Sequence, residues 1–160
     1  MNPRSKTASA ITITLSRIAL GALGVAVILG EIAVVVSAQQ MANEYPEFAS
    51  LQSPLVTAVI AFGLCVEVVL IVTAVLVGFI RDERIFRPAA LRLIDVLVIA
   101  ILVASVIVGL VLLSIPGPPA LALALLGGIL AGATFTFVLL VLRSLLRRAV
   151  FMRVELDEVV

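Results

Sequence analysis

Residues 93–115 read LIDVLVIAILVASVIVGLVLLSI, and in these 23 positions only Asp95 carries a charge. A helix rises about 1.5 Å per residue, so the stretch spans roughly the 30 Å of hydrocarbon in a bilayer. Working outward, three more segments have the same character, at about 18–38, 54–80 and 120–142. Hydrocarbon offers the backbone no hydrogen-bond partner, so even the β-branched VVVSA run is expected to be helical. The whole chain agrees: 63% of its 160 residues are hydrophobic, 13% are charged, and the mean hydropathy is +1.33. These values lie far outside those of soluble domains. The expected fold is an all-α membrane protein, one domain of residues 1–160. It is an antiparallel bundle of four transmembrane helices followed by an amphipathic cytoplasmic C-terminal helix over 143–160.

The net charge of +1 hides a segregation of sign. Arg4, Lys6 and Arg17 precede the first span, Arg81, Arg84, Arg87 and Arg92 lie between the second and third, and Arg143, Arg147, Arg148 and Arg153 follow the fourth. That accounts for all 11 Lys and Arg residues. The connections QQMANEYPEFASLQS and PGPP contain none. The positive-inside rule therefore predicts a multi-pass membrane protein with both termini and the central loop facing the cytoplasm. VVVSAQQ resembles a signal-peptidase site, but the apolar stretch before it is longer than a typical h-region, and an uncleaved first span is expected.

Histidine is absent and Cys65 is the single cysteine, which excludes an intrachain disulfide and a His/Cys metal cluster. No nucleophile is paired with a base and the glycines fall on helix faces rather than in a phosphate loop. The expectation is no enzyme, no metal and no cofactor.

Helices in lipid are held together by close approach through small residues. Ala120, Ala124, Gly128 and Gly132 recur every fourth residue up to Thr136, Ala22, Ala26 and Gly30 do so in the first span, and Ala100 and Ala104 in the third. These stripes predict intramolecular contacts, with a homodimer seam as their alternative use. Pro119 is suited to the first turn of the fourth helix and Pro88 to the start of a short interfacial one, since neither position needs a donor.

Two carboxylates interrupt the apolar spans. Glu31 stands about 21 Å above Arg17 and Glu67 about 21 Å above Arg81, while Ser105 is about 20 Å above Arg92. Equal depth predicts one polar layer of Glu31, Glu67 and Ser105 facing the bare Gly127–Gly128 stretch. An intramembrane carboxyl is a functional candidate by default. One reading gives the pair a proton, cation or cationic solute to bind, as in a small transporter or channel. The favoured reading makes each a neutral, hydrogen-bonding pin between helices. Asp95, near Arg92, is expected to be ion-paired.

In the tail, Leu145, Ala149, Met152, Leu156 and Val159 share a helical face, and basic Arg147 and Arg148 precede acidic Glu155, Asp157 and Glu158. This order suits a docking helix for a cytoplasmic protein. Its alternative is a solvated continuation of the fourth helix.

PEFASLQSPLV, RIFRPAALRLIDVLVIA and LLRRAVFMRVELDEVV together resemble a bacterial family of four-span membrane proteins, domain of unknown function 2975, in its actinobacterial form. The likeness runs from about Tyr45, with ELDEV its most specific part. It implies the four-span architecture and no catalytic residue. It also implies a place in the bacterial cytoplasmic (inner) membrane, a cytoplasmic partner of the helix-turn-helix transcription regulator type and a polar residue at the position of Glu67; no direct nucleic-acid binding by this chain is expected. The expected function is that of an anchor or sensor that regulates such a partner, with transport through Glu31 and Glu67 as the alternative.

Overall fold

The structure, a computed structural model, describes residues 3–46, 49–81, 88–114 and 119–157. These form four helices, α1 (Pro3–Glu44), α2 (Ala49–Arg81), α3 (Pro88–Ser114) and α4 (Pro119–Asp157), and there is no β-structure among the described residues. Each contains a stretch long and apolar enough to cross a membrane.

All four helices outrun their apolar cores. α1 is 42 residues long and α4 39, or about 60 Å each, twice the hydrocarbon thickness. The expected outer loop at 39–53 contracts because α1 continues to Glu44, where the Tyr45 N–H donates to the Met41 carbonyl (2.9 Å), and α2 starts at Ala49. Pro54 lies inside α2, in its second turn, and withholds the donor that the Ser50 carbonyl would accept.

Two expected elements change. Pro88 opens no separate interfacial helix: it is the first residue of α3, which runs to Ser114. Nor do residues 143–157 form an independent amphipathic helix, since α4 passes through them unbroken. Nothing between Arg143 and Asp157 is a Gly or Pro that would end it. The side chains of Met152, Glu155, Leu156 and Asp157, and all of Glu158 and Val159, lie outside the described residues, as do 82–87 and 115–118.

The bundle is antiparallel and open. α1 packs on α2, α2 on α3 and α3 on α4, with no other close backbone approach among the described residues. Side-chain contacts give the registers. Arg17, Gly24 and Glu31 meet Gly78, Leu70 and Gly63 in descending order, and Ser105 and Gly109 meet Gly132 and Ile129. Central α3 holds most of the buried apolar residues, including Ala90, Ile94, Leu97, Val98 and Ala100. Edge helix α1 contributes none among the described residues. Large exposed side chains such as Leu23, Leu29, Leu113 and Leu130 then face lipid, which solvates them as well as a core would.

The contact faces differ from the small-residue stripes. On α4 the less exposed positions from Ala122 to Leu146 are Ala122, Leu125, Ile129, Gly132, Ala133, Thr136, Leu139, Arg143 and Leu146, and apart from Ala133 they are spaced alternately three and four as in a heptad seam. Ala120, Ala124 and Gly128 are exposed, and only Gly132 of the expected stripe lies in the seam. On α1, Leu20, Gly24, Val27 and Glu31 turn toward α2, whereas Ala22, Ala26 and Gly30 are exposed. The reason is geometric: at about 100° per residue, a repeat of four drifts about 40° per step and leaves a seam that alternates three and four. On α3 Ala100 is buried and Ala104 half-buried.

A Cβ added at Gly132 would overlap the Ser105 hydroxyl, while one at Gly128 would meet nothing within 4 Å. Gly132→Val should therefore lower stability by about 1–3 kcal/mol and Gly128→Val by no more than about 0.5 kcal/mol. Unfolding in detergent, followed by circular dichroism, checks the pair.

Candidate functional site

Three glycines receive polar side chains from the neighbouring helix. Gly63 of α2 is buried beneath the Glu31 side chain, Gly78 lies under the Arg17 guanidinium, and Gly132 takes the Ser105 hydroxyl. A Cβ at Gly78 would sit 2.8 Å from Arg17 Nη2, and one at Gly63 would coincide with the Glu31 carboxyl. Glycine lets each polar group lie along the next backbone as it does here, since a side chain at these points would displace it.

Glu31 is thus pressed between α1 and α2. Its Oε1 is buried and has no hydrogen-bond partner among the described residues. Glu67 is half-buried and lines a groove of about 360 Å³ between the same two helices, with Arg17, Gly21, Gly24 and Leu70. Because Gly24 is level with Leu70 and Glu31 with Gly63, Glu67 is level with Val27. It lies one turn, about 6 Å, nearer the Arg17 end than Glu31 does. Counting from the flanking arginines misses this offset, because Arg17 meets Gly78 rather than Arg81.

Ser105 does not join them. It lies between α3 and α4 and donates its proton to the Ile101 carbonyl of its own helix at 2.9 Å. Thr57, Thr73, Ser114, Thr134 and Thr136 do the same to the carbonyl four residues back, at 2.7–2.9 Å. A hydroxyl in hydrocarbon is satisfied locally this way and is not committed to a partner on another helix. The expected single layer of Glu31, Glu67 and Ser105 therefore resolves into two separate places, a carboxylate pair at α1–α2 and a self-satisfied serine at α3–α4. Gly127 and Gly128, the expected wall of that layer, are exposed on α4.

Asp95 pairs across helices with Arg143, whose Nη2 donates to Asp95 Oδ2 at 3.0 Å. This ties α3 to α4 where the basic tail begins. Arg143 as the partner was not legible in sequence: Arg92, one turn away from Asp95, points outward and is exposed. Arg147 and Arg148 are exposed on α4. Cys65 is a free, half-buried thiol. With Phe62, Ser105, Gly132 and Phe135 it lines the larger cavity of about 510 Å³ on one face of α2, α3 and α4, which is almost wholly apolar. No three His, Cys, Asp or Glu side chains converge on a metal-sized site among the described residues.

The Glu31–Gly63 contact is testable by coupling. Gly63→Leu should destabilise the chain by about 1–3 kcal/mol, as overpacking does, and adding Glu31→Ala should recover at least half of that loss. A double-mutant cycle on unfolding in detergent measures the interaction.

No curated protein and no solved structure matches the chain. One family model does, that described as protein of unknown function (DUF2975), over residues 36–160. The match covers well over half of the sequence, from the last turns of α1 through α2, α3 and α4. With four apolar helices of spanning length in an open bundle, the chain belongs to the DUF2975 family as an integral, multi-span membrane protein.

Proposed function

We propose that the chain is a non-enzymatic adaptor of the bacterial inner membrane, in an actinobacterial form of its family, that holds a regulatory protein at the cytoplasmic surface. The observation that carries this reading is the continuity of α4. From Arg143 to Asp157 it extends about 21 Å as one helix. The exposed Arg147 and Arg148 thereby stand on the same unbroken helix as Glu155 and Asp157. A rigid extension is already ordered before a partner arrives, so binding costs less conformational entropy. The Asp95–Arg143 pair anchors its base to α3. The charge distribution supports a cytoplasmic position for this extension and both termini. The partner class is a helix-turn-helix transcription regulator, the kind the family resemblance implies. Nucleic-acid contact belongs to that partner and not to this chain. Affinity purification from native membranes in mild detergent should recover a protein with the full chain and lose at least nine-tenths of it with a chain ending at Ser144. Equal recovery by both, or none by either, rejects the adaptor.

A second reading, a small transporter or channel, is favoured by one feature: Glu31 and Glu67 share the α1–α2 interface about one turn apart. Under that reading the double substitution Glu31→Gln and Glu67→Gln abolishes cation flux into liposomes. Under the adaptor reading the same variant retains its cytoplasmic partner at the wild-type level.

A further inference from the structure

The groove between α1 and α2 combines features that the adaptor reading does not use. It starts at Arg17 and runs past Leu20, Gly21 and Gly24 to Ile28, with Leu70 on the opposite wall and Glu67 toward its far end. From Arg17 to Ile28 is about 16 Å along α1, close to half of a 30 Å hydrocarbon core, the depth of one leaflet. The floor is open: a Cβ at Gly21 would meet nothing within 4 Å, and one at Gly24 only the Leu70 methyl at 3.9 Å. Water is a poor filler for a furrow with apolar walls, and an empty furrow forfeits dispersion contacts along its length.

The mouth of the groove is positively charged, through Arg17. The Arg17 guanidinium lies over buried Gly78 on α2, so its charge sits across the end of the groove, and the structure gives it no acidic partner among the described residues. The far end does not suit an anion, because Glu67 stands there without a cation beside it among the described residues. A molecule matching both ends has a negative head, a flexible apolar body about one leaflet long, and an uncharged tip.

We propose that this groove holds one anionic phospholipid of the leaflet on the Arg17 side, its phosphate on Arg17 and one acyl chain over Gly21 and Gly24. The chain's methyl end stops short of Glu67, and the second acyl chain remains in the bilayer. Gly78 is a positioning residue, since a side chain there would push the guanidinium off the mouth. The site makes α1, otherwise joined only to α2, sensitive to the charge of the surrounding lipid.

Native mass spectrometry of the full chain, equilibrated in micelles with equal phosphatidylglycerol and phosphatidylcholine, tests this. The wild type should carry phosphatidylglycerol in preference to phosphatidylcholine. Arg17→Gln should reduce that preference about five-fold, the worth of one basic residue against anionic lipid. Gly21→Leu, at an open position, should lower retention of both lipids. Arg147→Gln with Arg148→Gln, remote from the groove, should leave the preference unchanged. The proposal is overturned by an unaltered preference in Arg17→Gln, by an equal loss in the Arg147/Arg148 variant, by undiminished retention in Gly21→Leu, or by a lipid-free dimer that covers α1 with a second copy. Retention of a cytoplasmic protein is scored separately with the Ser144 truncation, so the lipid site and the adaptor reading stand or fall apart.

Discussion

Every peptide group in the hydrocarbon must find its hydrogen bond within its own segment, and the rest of this structure follows from that constraint. It makes helices of sequences as β-branched as VVVSA and carries α1 and α4 well past the membrane boundary. It also turns the hydroxyls inward: six Ser and Thr side chains bond the carbonyl one turn back. Polar residues that would bridge helices in a soluble core here leave their neighbours to be recognised by shape.

Shape recognition in this chain is done by glycine. With no hydrophobic gain from helix association in lipid, the contacts that distinguish one neighbour from another are those where a side chain lies on a bare stretch of the next backbone. Glu31 on Gly63, Arg17 on Gly78 and Ser105 on Gly132 are three such contacts. The first two set the α1–α2 register from both ends, and the third does so for α3–α4 together with the Asp95–Arg143 pair. α1 touches no helix beyond α2, so these contacts and the lipid around it hold the amino-terminal third in place.

This arrangement separates the molecule into regions with different work. α3 is the structural centre, buried on both sides by α2 and α4. The α1–α2 interface carries the intramembrane charges, with Glu31 enclosed and Glu67 on an open groove. α4 continues beyond its span as one helix to Asp157. α1 therefore lies at the edge of the bundle farthest along the chain from the extension of α4, and α2 and α3 are the intervening elements.

Composition and charge order alone determined that this is a membrane protein, that four segments span, which connections carry the basic residues, and that Glu31 and Glu67 are the exceptional side chains. These are properties of transfer from water to lipid, and transfer depends on what a segment contains and scarcely on what it touches. Pairwise arrangement was decided only by the tertiary structure. A stripe repeating every four residues and a seam alternating three and four coincide for one or two turns and then diverge, so Ala22, Ala26, Gly30, Ala124 and Gly128 could not be placed from spacing alone. Depth counted from flanking arginines ignores the stagger between helices, which put Glu67 one turn from Glu31. The choice of Arg143 over Arg92 as partner of Asp95 depends on which neighbour α3 packs against, a relation between helices that no single helix encodes.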